Sequence, residues 1–353
     1  MSTLETNSIG KYSGNNVSID DALNLKSYTT AQRDALTSVA GDMIYNSDDN
    51  IPEIYNGSAW VALSSPIEID YLVVAGGGSG GTNATGGGGA GGLRSTVGNT
   101  GGGGSLESSI FLDTGVNYTV LVGAGGASET TNLIQGYNGT CSIFASISSV
   151  GGGGGGDVVA PKDGKFGGSG GGGGPSTGNG GAGMTNQGFA GGGSTQSLLG
   201  AGGGGAGAAA SNVTSGSDGG AGGIGVICNI IDSTQATSAS VGQVVSTDVY
   251  YAGGGGGGDN NGASGGAGGT GGGGTGGGMS FAGVSGTANT GGGGGSGGGG
   301  AFTSGAGGSG VVIIKYPDTY TISVGAGLTS SSATSTGFKY EIFTAGTDTI
   351  SFS

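Results

Sequence analysis

The sequence predicts an all-β protein with little helix, in which apolar β-strands flank a bundle of polyglycine II helices. Three observations predict it. Glycine supplies 98 of 353 residues, about four times the usual share of roughly 7%, and all but eight of them lie between Gly76 and Gly310. Blocks of four or more consecutive glycines recur there, at 86–89, 101–104, 151–156, 170–174, 202–205, 253–258, 271–274, 291–295 and 297–300. Between the blocks stand short runs of β-branched and aromatic residues, the composition of half-buried pleated strands.

The chain divides into an N-terminal module (1–65), a glycine-rich β/polyglycine II domain (66–316) and a C-terminal β element (317–353). In the first, Thr29 and Thr30 are candidate N-caps of a short helix in TTAQRDALTSV. GDMIYNSDDNIPEIYNGSAWVAL then reads as apolar strands and turns, with Asn56–Gly57 as the hairpin signal. Tyr45, Tyr55 and Trp60 are expected to pack across that hairpin. The acidic run Ser47–Asn50 lacks the glycine and downstream glutamate of a calcium loop, so a solvated turn is expected.

From Ile67, IEIDYLVVAGGG opens the second part. Strands are expected at Tyr118–Val122, Ile143–Val150, Ile224–Ile231, Val244–Tyr251 and Val311–Tyr316. Several run straight into glycine (LVVAGGG, VLVGAGG, SSVGGGG, YYAGGGG), an internal repeat without strict period. In the tail, TISVGAG and GFKYEIFTAGTDTISFS predict short strands with a turn around Ala345–Gly346, forming a terminal β element that caps the glycine region.

Glycine-rich composition by default implies a flexible linker, but a linker has no need of apolar strands. Collagen requires a strict Gly-X-Y period and abundant proline, and five prolines are present. An α-helix loses roughly 1 kcal/mol per glycine relative to alanine. Extended helices with three residues per turn remain. They make no internal hydrogen bonds, so in a bundle every peptide group can bond to a neighbour, and without Cβ atoms neighbours can approach from all sides. Dense bonding and the flanking strands must offset the large entropy cost of ordering glycine. Small residues such as those in AGGTGGGGTGGG are expected at solvent-facing or edge positions.

Net charge is −14, and the eight basic residues are scattered. Without a basic stripe, neither nucleic acid nor an anionic membrane is an expected partner. The first residues, MSTLETNSIGKY, lack the regions of a signal peptide, and runs such as VVIIKY are too short to span a membrane. A soluble protein made in a cytoplasm is expected. Histidine is absent, which removes His-based catalytic triads and the commonest metal ligand. Gly164–Lys165 is followed by Phe166, so no phosphate-loop motif forms there. None of the 22 acidic residues stands out as a catalytic pair. The expectation is a non-enzyme without cofactor or metal. Cys141 and Cys228 lie in apolar settings and read as two buried small hydrophobes, with one disulfide between them possible.

The succession YLVVAGGGSGG, GAGGLRS, NYTVLVGAGG, NGTCSIFASISSVGGGGGG, YYAGGGGGG and GGSGVVIIKY resembles the glycine-rich domain of phage tail proteins over roughly residues 67–316. KYEIFTAGTDTISFS is similar to the β segment often associated with that domain. AQRDALTSVAGDMIYNSDDNIPEIYNGSAW resembles a recurrent module of phage tail-fibre proteins. The resemblance implies a virion protein, a tail fibre or tail-tip adhesin, that recognises the host surface through residues interrupting a rigid polyglycine scaffold. It implies attachment to other tail proteins through residues 1–65, a host glycan or outer-membrane protein as receptor, and a homo-oligomer, a trimer by analogy. By that analogy the contact candidates are Lys162, Lys165 and Phe166, a basic-aromatic cluster, with Met184, Phe189, Leu198, Leu199, Met279, Phe281 and Phe302. The same residues could instead form an apolar plug or a subunit interface.

The rival readings are a fibre shaft without receptor contact, an ice-binding or surface-coating glycine-rich protein, and a glycan depolymerase. The ice-binding reading expects a flat, regular face of small residues; the depolymerase expects a carboxylate cleft.

Overall fold

The structure, a computed structural model, describes residues 24–63, 66–131, 134–262, 264–300 and 302–353; the expectations for Met1–Tyr12 lie outside them. The chain forms two compact units, Met1–Ser65 and Pro66–Ser353.

Unit 1 holds β1 (Ser27–Tyr28), α1 (Thr30–Asp34), β2 (Met43–Asn46), β3 (Ile51–Tyr55) and β4 (Trp60–Ala62), with sheet order β1-β2-β3-β4. Thr29 caps α1: its hydroxyl accepts the Gln32 N–H, and the Gln32 side chain accepts the Thr29 N–H. At the β3–β4 turn the Asn56 side chain accepts the N–H groups of Ser58 and Ala59, while Gly57 takes φ +100. Tyr55 and Trp60 are register partners with ring centroids 5.5 Å apart. Tyr45 differs from expectation. It lies on β2 opposite Pro52, so it faces the other edge of β3. Within the 47–50 turn, Asp48 accepts the Thr30 N–H at 2.9 Å, tying the turn to the start of α1.

In unit 2 the strands are β5 (Ile67–Val74), β6 (Leu93–Ser95), β7 (Ile110–Leu112), β8 (Tyr118–Leu121), β9 (Ser142–Phe144), β10 (Ile147–Ser149) and β11 (Val226–Ile227). After the helix α2 (Ser233–Ala239) come β12 (Gln243–Val245), β13 (Asp248–Tyr251), β14 (Val311–Pro317), β15 (Ile322–Val324), β16 (Leu328–Ser335) and β17 (Phe338–Phe352). The main sheet runs β10-β9-β8-β17-β14-β5-β6, with β7 added to β5 and with β15 and β16 added to β17.

Residues 71–74 of β5, 311–314 of β14 and 342–343 of β17 are apolar on both faces because both faces are covered. Leu72, Val74, Val311, Ile313, Tyr340 and Ile342 share one core with Val226, Ile231, Ala236, Val249 and Tyr251, contributed by β11 through β13. The alternate residues Ile69, Tyr71, Val73, Val312, Ile314, Tyr316 and Phe343 share the other core with Leu112, Val120, Phe144 and Ile147.

Four local expectations are corrected. The runs 143–150 and 244–251 are hairpins rather than single strands, because Ala145 (φ 50) and Ser246 (φ 59) turn the chain. The run 224–231 pairs over only two residues. Helix α2 escaped the sequence reading, although Asp232 and Gln235 make a capping box like that of α1. The turn expected at Ala345–Gly346 is not a turn. Gly346 absorbs φ +98 inside β17, and the strand changes partners there, from β14 and β16 to β8 and β15. The segment 317–353 is therefore no outer cap: β17 lies between β14 and β8 in the sheet.

The glycine segments extend from the strand ends. Segments 75–81, 122–127, 150–157 and 252–259 follow β5, β8, β10 and β13, and 303–310 leads back into β14. Their peptide groups bond between segments with a three-residue repeat. Along 86–92, successive N–H groups donate to Gly156, Ala201, Gly294, Gly153, Gly204, Gly291 and Val150, at 2.7–3.3 Å. Residues three apart thus share a neighbour. The carbonyls repeat likewise: Gly86, Gly89 and Gly92 serve 75–81, Gly87 and Ala90 serve 169–172, and Gly88 serves Gly255. Segment 84–92 is therefore enclosed by six neighbours. Segments 75–81 and 252–259 repeat the pattern, for example with Gly254 and Gly257 donating to Gly223 and Gly220, and Gly255 and Gly258 to Gly88 and Thr85.

At most of these glycines the spacing leaves no room for a side chain, although the methyl group of Ala90 is buried within the same segment. A Cβ on Gly88 would lie 2.1 Å from the Gly78 oxygen, and one on Gly255 would lie 2.1 Å from the Gly294 oxygen. Not every glycine block is a rod. Block 101–104 is a tight turn in which Gly102 and Gly103 take φ +65 and +68.

Small residues also depart from the edge rule. Ala267 and Thr275 are exposed as expected, but Ser79, Thr85, Ser169, Thr290 and Ser296 are fully buried. Several of the buried hydroxyls take over the bonding of a peptide group: Ser296 Oγ accepts the Thr85 N–H and donates to the Gly81 carbonyl.

The cysteines behave differently from one another. Cys228 is buried and its thiol is pushed up to about 11, first by burial, while Cys141 is exposed and both are free. The expectation of two buried thiols holds for Cys228 alone. With a pKa near 11, only about one Cys228 in a thousand is thiolate at pH 8. A thiol reagent at pH 8 is expected to titrate one group per native chain, Cys141, and the second only after unfolding. Rapid titration of both in the native state would contradict the packing around Cys228.

Candidate functional site

The glycine bundle has two ends. Unit 2 is entered at Ile67, and β5 carries the chain into segment 75–81, so the turn at 81–85 lies at the end away from the sheet. Hydrogen bonds join that turn to others in series. The Ala84 N–H donates to Gly297, Gly300 to the Asn83 side chain, Gly298 to Phe281, Met279 to Gly262, and Asn260 to Leu198. Ser176 donates to Gln196, and Gly174 donates to Lys162. One continuous set of turns closes the bundle here.

Two of these turns begin in the same way. The six-glycine runs 151–156 and 253–258 each end in an aspartate that is almost wholly buried, Asp157 (3% exposed) and Asp259 (0%). Asp157 Oδ1 accepts the Val158 N–H, and Asp259 Oδ1 accepts the N–H groups of Asn261 and Gly262. These carboxylates stop two inner segments and turn the chain. Burial raises the Asp157 pKa, and its backbone hydrogen bonds to Val158 and Val159 oppose the rise. At a third turn, the Thr131 N–H foremost holds Glu129 below the usual carboxylate range. Sequence reasoning missed the two aspartates, although the repeated GGGGGGD was the signal.

The ten candidate contact residues separate by position. Leu198, Met279, Phe281 and Phe302 are brought together on the far-end turns, with exposures of 39%, 46%, 64% and 36%. Leu199, next to Leu198, is buried with Ala201 and Val213 in a small apolar plug. Lys162 is at the same end, but its ammonium donates to the Ser176 carbonyl at 3.2 Å. The Lys165 ammonium donates to the Gly136 carbonyl at 2.8 Å and sits 5.7 Å from the Tyr137 ring centroid, and burial lowers its pKa. The basic-aromatic cluster is thus turned partly inward, leaving Phe166 half exposed. Met184 and Phe189 lie toward the sheet: Met184 donates to Gly167 and Gly168, and Gly168 packs against Gly92 and the Val150 carbonyl.

The far end therefore presents Leu198, Met279, Phe281 and Phe302, together with Val159 on the turn after Asp157, with Asn83, Asn260 and Asn261 on the same turns. Such a face can dock an apolar protein surface or the apolar face of a sugar ring. Among the described residues no group of three or more acidic or cysteine side chains could hold a metal ion, and no helix is long and apolar enough to cross a membrane.

Residues 54–317, about three quarters of the chain, match the family model described as a glycine-rich domain. No curated protein and no solved structure matches the chain.

Proposed function

The chain belongs to the glycine-rich domain family, and from that premise we propose that it is a phage virion protein, a tail fibre or tail-tip adhesin that recognises the host cell surface. On this reading the glycine segments are polyglycine II helices. The three-residue repeat of their hydrogen bonds and the six neighbours around segment 84–92 support it. Unit 1 attaches the protein to other tail components, and the bundle presents its far-end turns to a receptor, a host glycan or an outer-membrane protein. Trimerisation follows from the tail-fibre resemblance.

The observation that carries the reading is the gathering of Leu198, Met279, Phe281 and Phe302, exposed, at the end of unit 2 opposite its point of entry. A stiff scaffold whose core is backbone leaves its turns free to vary without altering the core. The test is binding of the labelled full chain to a panel of bacterial strains, and competition with phage adsorption. A variant with all four residues replaced by alanine is expected to bind at least about tenfold more weakly, with an unchanged melting curve. Binding equal to that of the parent would remove the far-end assignment, and no binding of the parent to any strain would favour a fibre shaft without receptor contact.

A further inference from the structure

Unit 1 contains a groove of about 420 Å³ lined by Arg33, Asp34, Ser38, Tyr55, Ser58 and Trp60, among others. That volume lies within the range of small-ligand sites, about 300–1,000 Å³. Two features restrict what could fill it. The first is aromatic: Tyr55 and Trp60 stand 5.5 Å apart at an interplanar angle of 57°, giving a tilted pair of ring surfaces with an indole N–H donor. The second is electrostatic. Arg33 is clamped between Asp34 and Glu53, each at 2.8 Å, so one cation faces two carboxylates and the local balance repels anions. The clamp occupies only Oδ1 of Asp34, whose side chain is 61% exposed.

We propose that this groove binds a neutral saccharide, with a sugar ring against Trp60 and its hydroxyls bonded to Asp34. A pyranose offers an apolar face to an aromatic ring and hydroxyls that serve as both donors and acceptors. A peptide held here would need apolar pockets for its side chains, and apart from the two rings the lining offers only Leu36 and Ala59. The proposal does not depend on the adhesin reading.

Trp60 is the only tryptophan in the chain, so tryptophan fluorescence of the full-length protein reports on this groove alone. The probes are glucose, galactose and N-acetylglucosamine, linear trimers of each, glucuronate, and an extended polar peptide. A saturable change is expected with at least one neutral sugar, and at least about tenfold weaker binding with glucuronate. Ala59→Phe, which fills the groove from an exposed position, is expected to weaken the response at least about tenfold. Asp34→Asn, which conserves shape, is expected to weaken it without altering the melting curve. The proposal is overturned by the absence of a saturable response to any neutral sugar up to about 0.1 M, by a response to the peptide alone, or by an unchanged response in Ala59→Phe. Loss of cell binding in the four-residue alanine variant reads the far-end turns, and Trp60 fluorescence reads the groove, so either result can fail while the other stands.

Discussion

Replacing Gly88 with alanine is expected to destabilise the protein by about 3 kcal/mol or more, whereas Gly193→Ala should change stability by less than about 1 kcal/mol. Both substitutions add one methyl group. Replacing a glycine at a compatible position normally stabilises by about 0.4–1 kcal/mol, because the unfolded chain loses freedom. At Gly88 that gain is outweighed. The new Cβ would lie 2.1 Å from the Gly78 oxygen, 2.6 Å from the Gly78 carbonyl carbon and 2.8 Å from the Ser79 carbonyl carbon. None of these is the end of a flexible side chain; all are backbone, held in turn by other segments. Relief requires segments 75–81 and 86–92 to separate, which stretches the Gly78 bond to Gly89 and the Gly81 bond to Gly86. Each lost bond costs roughly 0.5–1.5 kcal/mol, in addition to about 1–3 kcal/mol for overpacking. At Gly193 the nearest atom to the added Cβ is 3.2 Å away and the next is 3.6 Å away, on a partly exposed face. Chemical or thermal unfolding of the two variants beside the parent decides the matter. If Gly88→Ala melts with the parent, segment 86–92 is not enclosed as described.

The same geometry explains why parts of this fold were legible in the sequence and parts were not. The strands IEIDYLVV and GVVIIKY could be read because burial on both faces requires continuous apolar residues, and β5 has them at 71–74 and β14 at 311–314. The strand-to-glycine junction could be read because it is a change of composition. Which glycine segment bonds to which could not be, since the segments carry almost no side chains to distinguish them. Strand register and turn length set those pairings, and both are non-local. The same limit applied to the site. Phe281 and Met184 are alike in sequence, each a large apolar residue among glycines, yet one lies on a far-end turn and the other near the sheet. Their fates depend on the direction in which each segment runs. Lys165 misled for another reason: a lysine between glycines looks exposed, but the missing side chains around it leave room for its ammonium to reach the Gly136 carbonyl. Asp157 and Asp259 could have been found, because an acid that twice ends a six-glycine run is a local signal.

Amide exchange should show protection along 253–259 as high as in β5 and β14, and a three-residue repeat of protection in the outer segment 264–269. In the inner segment, the N–H groups of Gly254, Gly255, Gly256, Gly257 and Gly258 all donate to other segments at 2.8–2.9 Å, and every residue from Ala252 to Asp259 is buried. Their exchange requires opening of the bundle itself, so rates should fall with global stability. In the outer segment, Gly266 donates to Gly257 and Gly269 to Gly254, while Gly265, Ala267 and Gly268 have no backbone acceptor among the described residues. Slow exchange at 266 and 269, with fast exchange at 265, 267 and 268, is the expected pattern. A β-strand at the edge of a sheet would instead alternate with a period of two, and a flexible linker would exchange rapidly throughout. The three outcomes differ in kind, not merely in degree. Uniformly rapid exchange over 253–259 in the folded protein would exclude the backbone core, and protection at alternate residues of 264–269 would replace the three-residue repeat with strand pairing. A period of three cannot arise from side-chain shielding in a segment this poor in side chains, because only the direction of each peptide group then decides which N–H is covered.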